Sequence, residues 1–231
     1  NLKSPENKWF ALSKRSRIIV TSKERVGKGQ ITKIEDLADQ KWKGKICSRP
    51  GSHVYNRALM ASLILSLGEK AAEEWAKKFV DNLSRRPQGN DRAQVKAIFE
   101  GQCDISIINN YYFGKLKYSE DPSQREWAKS VDLIFPNQGV EERGAHINIS
   151  GGGVAKYSKN KNEAVALLEF LSKAQSQKMY GEINFEYPVN PSVETTEELK
   201  SWGSFKSESL PIISIAQKAY EAQKIIDRVG W

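Results

Sequence analysis

The stretch Asp104-Ile105-Ser106-Ile107-Ile108-Asn109-Asn110-Tyr111-Tyr112-Phe113-Gly114 decides the fold. A short apolar run bounded by polar residues reads as a buried strand, and an asparagine behind it is a favoured helix cap. We therefore expect a strand over Asp104 to Ile108, a departure at Asn110 and a helix beyond it. The same events occur earlier in the chain. Lys45 to Ser48 reads as a short buried strand stopped by Pro50 and Gly51. Ser52 can cap a helix whose Leu59, Leu63 and Leu67 recur at helical spacing, and Gly68 would end it. A second helix is expected over Glu69 to Val80. A turn-rich stretch, Arg86 to Asp91, then leads to a brief helix over Gln94 to Phe99, followed by Gly101. Strand, helix, turn, helix, strand in that order predicts a parallel α/β arrangement.

Further out, Trp9 to Ser22 reads as a strand that carries Ile18, Ile19 and Val20, with Arg15 and Arg17 on one face. Ile34 to Ala38 is a short helix or turn. Val131 to Phe135 and His146 to Ile149 read as strands flanking the polar loop Pro136 to Gly144, and the glycine run Gly151 to Gly153 follows, then Val154 to Tyr157. Asn162 to Lys173 is amphipathic, with Val165, Leu168 and Leu171 on one side, and another helix begins near Gln175. Phe185 to Val189 is extended and is terminated by Pro188 and Pro191; Ile212 to Val229 is helical, with Ile215, Ala219 and Ala222 at helical spacing. There is no internal repeat.

With 231 residues, 39% hydrophobic and 10% aromatic, the chain can bury a core without staples. Its longest apolar run, Ala58 to Leu67, is interrupted by Ser62 and Ser66 and falls short of the roughly 18 to 20 residues of a membrane helix, so no transmembrane segment is expected. A net charge of +8 suits an anionic partner. The basic residues are scattered, however, and the densest run, Lys14 to Arg17, is short, so no nucleic-acid groove is expected. Asn1 to Lys8 is polar and has no apolar signal region, which implies a removed signal or a start elsewhere. Cys47 and Cys103, 56 residues apart, match no zinc or redox motif and allow at most one disulfide.

The chemistry concentrates in tyrosines. Neighbouring side chains in a strand point to opposite faces, so Tyr111 and Tyr112 can converge only where the chain leaves the strand. Phenols in a first helical turn meet its positive end, which favours phenolate. A free phenol titrates near pH 10, so deprotonation at neutral pH needs a strong cation as well, and ferric iron prefers such oxygens. Read alone, the dipeptide is a pair of half-buried aromatics. Tyr55, however, occupies the same topological position one unit earlier, and ligands gather at the carboxyl ends of strands in open α/β sheets. Three phenols facing one crevice are harder to read as packing.

The sequence resembles the ferric-iron-binding proteins that serve bacterial iron ABC transporters, particularly the cyanobacterial type. The resemblance rests on Trp9-Phe10-Ala11-Leu12-Ser13-Lys14-Arg15-Ser16-Arg17, Arg86-Pro87-Gln88-Gly89-Asn90-Asp91-Arg92, Gly101-Gln102-Cys103-Asp104-Ile105, Asn110-Tyr111-Tyr112, His146-Ile147-Asn148-Ile149-Ser150-Gly151 and Asn184-Phe185-Glu186-Tyr187-Pro188. It implies a two-lobed periplasmic binding fold of type II, a periplasmic location and a permease partner in the inner membrane. It implies ferric ligation by Tyr55, Tyr111 and Tyr112, with Arg15 beside the metal but not bonded to it. Members of this family carry a strand and helix before the Trp-Phe stretch, so the amino-terminal lobe is expected to be incomplete here. The implied division is 1–21 as a remnant of that lobe with the first hinge strand, 22–143 as the carboxyl-terminal lobe, 144–191 as a return to the amino-terminal lobe, and 192–231 as carboxyl-terminal-lobe helices. Apolar surface is then expected to be exposed around Trp9 to Val20 and on the helix Asn162 to Lys173.

Weaker candidates receive plainer readings. His53 is a hydrogen-bonding neighbour of Tyr55, and His146 is structural. Gly151 to Gly153 lacks a phosphate-binding pattern and reads as tight packing. Asp91 and Arg92 read as a solvated turn, and pairing of Cys47 with Cys103 stays open. The chain has no G-x-S-x-G elbow and no HExxH helix, so an enzyme is not expected. The alternative is a binding protein of the same fold that holds an organic or oxyanionic ligand through Arg15 and backbone amides.

Overall fold

A computed structural model describes residues 2–231; residue 1, the first of the expected segment 1–21, lies outside them. The order of strands and helices is β1 (Phe10–Ser22), β2 (Ile46–Cys47), α1 (Val54–Leu67), α2 (Glu69–Asp81), α3 (Asp91–Phe99), β3 (Ile105–Asn109), α4 (Asn110–Lys117), α5 (Pro122–Lys129), β4 (Val131–Ile134), β5 (Ile147–Gly152), α6 (Lys161–Ser172), α7 (Ala174–Asn184), β6 (Tyr187–Pro188), α8 (Glu197–Ser201), α9 (Ile212–Gln217) and α10 (Ala219–Val229). Two short 3-10 turns, Glu35–Ala38 and Gln40–Trp42, precede β2.

The long strand β1 serves two sheets. Its second half pairs antiparallel with β3, Arg17 opposite Asn109 and Thr21 opposite Ile105, and with β4 on its other side. Its first half pairs antiparallel with β5 and β6. The expected parallel pairing holds for β2 and β3, where Ile46 lies opposite Ile105, whereas β1 runs antiparallel to every strand it meets. Helices cover both faces of the sheet β2-β3-β1-β4, and this explains the unbroken apolar run in β1. Ile19 joins Leu59, Leu63, Trp75, Phe79, Ile105 and Ile225 on one face; Ile18 and Val20 join Val95, Ile98, Ile108, Leu116 and Val131 on the other. Each such side chain contributes about 1.5–3 kcal/mol through burial.

Several local expectations are corrected. The carboxyl-terminal helix is broken at Lys218 into α9 and α10. Helices α5 and α8 were not anticipated, although Asp121 and Thr196 cap them by accepting from Ser123 N and Leu199 N. The expected exposure around Trp9 to Val20 is confined to Phe10, since residues 16 to 22 are buried. On α6 it holds, for no residue there is buried, and Val165, Leu167 and Phe170 are about half exposed. The glycine run is close packing, as expected: a side chain at Gly151 would strike the Phe10 carbonyl oxygen, and one at Gly153 that of Lys8.

Two covalent or ionic ties join segments distant in sequence. Cys47 and Cys103 form a disulfide, with Cα atoms 5.7 Å apart. It links the end of β2 to the residues just before β3. Second, buried His146 pairs through Nδ1 with Glu208, which also accepts from Ser62 Oγ, so the chain before β5, α1 and the segment before α9 meet at one carboxylate. Histidine 146 is thus structural, as read from the sequence.

The disulfide closes a loop spanning 56 positions, which restricts the unfolded chain by about 4 kcal/mol. Urea unfolding of Cys47→Ser/Cys103→Ser is expected to show a loss of about 2 to 4 kcal/mol, and an unchanged midpoint would refute a stabilising role. Glu208 gives a pH prediction. Burial pushes its carboxyl up, yet the charge and hydrogen bond of His146, the Ser62 hydroxyl and Arg143 together hold it below its ordinary value of 4.5. Its stabilisation is therefore full above that value and is lost as pH falls through the lower folded value. Glu208→Gln should show a shallower decline of stability with acid below pH 4.5 than the parent, and superimposable declines would sink this account.

Candidate metal-binding site

Each of the parallel neighbours β2 and β3 is followed by a helix that starts at its carboxyl end. Before α1 the chain passes so close to the carboxyl terminus that a side chain at Gly51 would lie 2.7 Å from the Trp231 ring. The cap of α1 is His53 rather than the expected Ser52: its Nδ1 accepts from Tyr55 N at 3.3 Å. Burial and the neighbouring Arg49 pull the His53 imidazole below its ordinary value, which leaves it neutral and free to accept that bond. His53 is thus the hydrogen-bonding neighbour the sequence suggested. Tyr55 is the second residue of the helix.

Helix α4 follows β3 without a linker. Asn109, not Asn110, takes the cap position, and Asn110 is the first helical residue. The Asn110 side chain is spent on tertiary contacts: Oδ1 accepts from Ser16 N at 2.8 Å and Nδ2 donates to Phe185 O at 2.9 Å. Phe185 has left-handed backbone (φ 57°), which terminates α7 and turns its carbonyl toward Asn110. Tyr111 and Tyr112 therefore occupy the first turn of α4, as expected.

These two helix starts bring the three expected tyrosines together. Tyr55 Oη lies 3.1 Å from Tyr111 Oη, and the Tyr111 and Tyr112 ring centroids are 4.3 Å apart. Burial pushes the Tyr111 phenol far above its ordinary value, and its hydrogen bonds with Tyr112 and Tyr55 push the same way. The Tyr111 hydroxyl therefore keeps its proton at neutral pH until a strong cation competes for the oxygen. Among the described residues no group of three His, Cys, Asp or Glu side chains could hold a metal ion. Arg15 is beside the cluster: its guanidinium carbon is 5.7 Å from the Tyr55 ring centroid, and Nη1 donates to Ser150 Oγ at 2.7 Å.

The sequence reading missed the charged floor beneath the tyrosines. Asp91 is fully buried and is no solvated turn residue. Its Oδ2 accepts from Arg17 Nη1 at 2.9 Å and from Asn109 N at 2.7 Å, and its Oδ1 accepts from Arg49 Nη1 at 2.6 Å. Arg17 also donates to Asn56 Oδ1 at 2.6 Å, Ile107 O at 3.1 Å and Asn109 Oδ1 at 3.2 Å. Both arginines lie against the Tyr55 ring, with guanidinium carbons 5.9 Å (Arg17) and 5.1 Å (Arg49) from its centroid. Arg92, expected beside Asp91 in the same turn, instead lies over the Tyr112 ring at 5.7 Å. One signal was available: Arg17 abuts Ile18-Ile19-Val20, and a charge flanking a fully apolar run needs a buried counter-charge.

The chain is similar throughout its length to known proteins. It is 41% identical over 230 residues to iron uptake protein A1 of Synechocystis, a match that covers all of this chain and 63% of the relative. This chain thus spans less than two thirds of that relative's length. It superimposes with a TM-score of 0.95 on the Trichodesmium protein IdiA, or FutA, in complex with iron and citrate, at 46% identity, covering 100% of this chain and 72% of the other. Apo FutA2 from Synechocystis gives the same TM-score at 39% identity, covering 100% and 73% respectively. The fold is therefore the α/β fold of the two-lobed periplasmic iron-binding proteins. Residues 1–207 match the family described as bacterial extracellular solute-binding protein, and the chain belongs to that family.

Proposed function

We propose that this chain binds ferric iron through Tyr55, Tyr111 and Tyr112 and, as part of a periplasmic solute-binding protein rather than an enzyme, delivers it to an ABC transporter permease. The carrying observation is the 3.1 Å approach of the Tyr55 and Tyr111 hydroxyls, with the Tyr112 ring tilted against that of Tyr111 at 4.3 Å. Two phenols at that distance share one proton-mediated contact. A hard trivalent cation can displace the protons of both phenols to solvent and draw both oxygens to itself. The names of the relatives, iron uptake protein A1 and an iron and citrate complex, support the choice of metal.

The pairing of β1 supports the expected division of the chain as well. Segments 1–21 and 144–191 carry the β1-β5-β6 ladder, whereas 22–143 and 192–231 carry the other strands and the helices α8 to α10. We assign the former to one lobe and the latter to the other, with β1 crossing between them and the tyrosines at the boundary.

Titration with ferric citrate should produce a visible phenolate-to-iron absorption band, and the protein should release protons as the metal enters. Tyr111→Phe and Tyr112→Phe each remove a donor oxygen and keep the ring. Each is expected to weaken binding by at least the roughly 10 to 100-fold typical of metal-site neighbours. Tyr55→Phe should also release fewer protons. Wild-type affinity in the Tyr111 and Tyr112 variants would overturn the ligand assignment, and a colourless complex would favour an organic or oxyanionic ligand instead.

A further inference from the structure

We infer that Arg49 is a positioning residue for Tyr55, an assignment that rests on the tyrosine reading above. The argument begins with a charge count. Two arginines and one carboxylate are buried together, and Arg17 with Asp91 already makes a matched pair completed by the Asn109 amide. Arg49 is the surplus cation. A buried charge beyond its counter-ion costs stability unless another group offsets it. Its Nε is buried and makes no hydrogen bond. The group that remains is the Tyr55 ring, whose centroid lies closer to Arg49 than to either of the other two arginines around it. A guanidinium on an aromatic face is held by the ring quadrupole, and more strongly when the ring bears negative charge.

The backbone of Arg49 is fixed from the same direction. Its carbonyl accepts from Ser48 Oγ at 2.8 Å and from Asn56 Nδ2 at 3.1 Å, while Asn56 Oδ1 accepts from Arg17. Arg17, Asp91, Arg49 and Asn56 thus form a closed ring of contacts, and Tyr55 is the residue next to Asn56 in α1. In this circuit both arginines touch Asp91 and the Tyr55 ring, but Arg17 also donates to Asn56, Asn109 and Ile107, whereas Arg49 lies nearer the ring, at 5.1 Å against 5.9 Å. It sets where the Tyr55 oxygen stands relative to Tyr111. Its planar fork can reach the carboxylate and lie on the ring at once, a combination that a lysine ammonium cannot reproduce.

The test compares wild type, Tyr111→Phe, Arg49→Met and Arg49→Lys in ferric citrate titrations, together with urea unfolding and near-ultraviolet dichroism of the metal-free proteins. Arg49→Met keeps the Arg17–Asp91 pair but strips Asp91 Oδ1 of its Arg49 bond, so its urea midpoint should fall while the protein stays folded, and its tyrosine dichroism should change. Its iron affinity should fall roughly 10 to 100-fold, the range for residues that orient metal ligands. Its absorption band should move to longer wavelength, because the cation no longer lowers the energy of the ring electrons. Arg49→Lys should behave like Arg49→Met. Wild-type affinity and band in Arg49→Met, or their recovery in Arg49→Lys, would overturn the inference. Should Arg49→Met not fold, the band of Arg49→Lys decides alone: a shift supports the positioning role and a wild-type band refutes it. If wild type gives no band, or Tyr111→Phe binds as wild type does, the tyrosine reading fails and this inference falls with it. If those two behave as expected and only the Arg49 variants match wild type, this inference alone fails.

Discussion

Asp91 is a carboxylate with no solvent contact, and four elements are fastened to it: β1 through Arg17, the end of β2 through Arg49, β3 through the Asn109 amide and α3 through its own backbone. Taking such charges out of water costs several kcal/mol each, and only close, well-directed partners repay that cost. The arrangement therefore admits little movement. A shift of β3 along β1 by one residue would remove the Asn109 amide from Asp91 and exchange the side chains that β3 presents to the two cores, Ile105 and Ile107 for Ser106 and Ile108. The same contact fixes the point at which β3 stops and α4 starts, and with it the position of Tyr111 and Tyr112.

The strand β1 explains why stability and site are difficult to separate in this molecule. Its second half is core, with Ile18, Ile19 and Val20 fully buried between two helical layers. Its first half belongs to the β5–β6 ladder, and between the two lie Arg15 and Arg17, on one face of the strand and both directed at Tyr55. Asn110 adds a stitch from α4 to Ser16 and to Phe185, so the helix that carries two of the tyrosines is tied to the strand that carries the arginines.

The tyrosines and arginines oppose one another in charge character. Burial keeps the Tyr111 phenol protonated in the resting protein, and Arg15, Arg17 and Arg49 make the surroundings of Tyr55 electropositive. A weakly competing cation gains little in such a place, because it must displace a firmly held proton close to positive charge. A hard, highly charged ion can meet that demand, and phenolates formed around it are then stabilised by the guanidinium groups already present. This is the physical basis on which the proposed tyrosine site would favour a hard trivalent ion over a softer divalent metal.

Much of this was legible from local pattern. The apolar run before Asn109, the helical spacing of Leu59, Leu63 and Leu67, and the repeated strand-to-helix step that puts Tyr55 and Tyr111 in first helical turns all follow from periodicity and capping chemistry. What the pattern could not assign was any role that depends on a partner distant in the chain. His53 instead of Ser52 caps α1, because the cap that wins is the one whose side chain the surrounding packing aims at the helix. Asn110 surrendered its expected cap to neighbouring Asn109 and took partners at residues 16 and 185. Asp91 looked like a turn residue in Gly89-Asn90-Asp91-Arg92, and nothing within that stretch announces Arg17 or Arg49 as its counter-ions. The sequence by itself determined the elements and the three phenols, because those depend on residues within a few positions of one another. Only the tertiary structure decided which charges lie beneath the phenols, because electrostatic pairing acts through space and leaves no spacing along the chain.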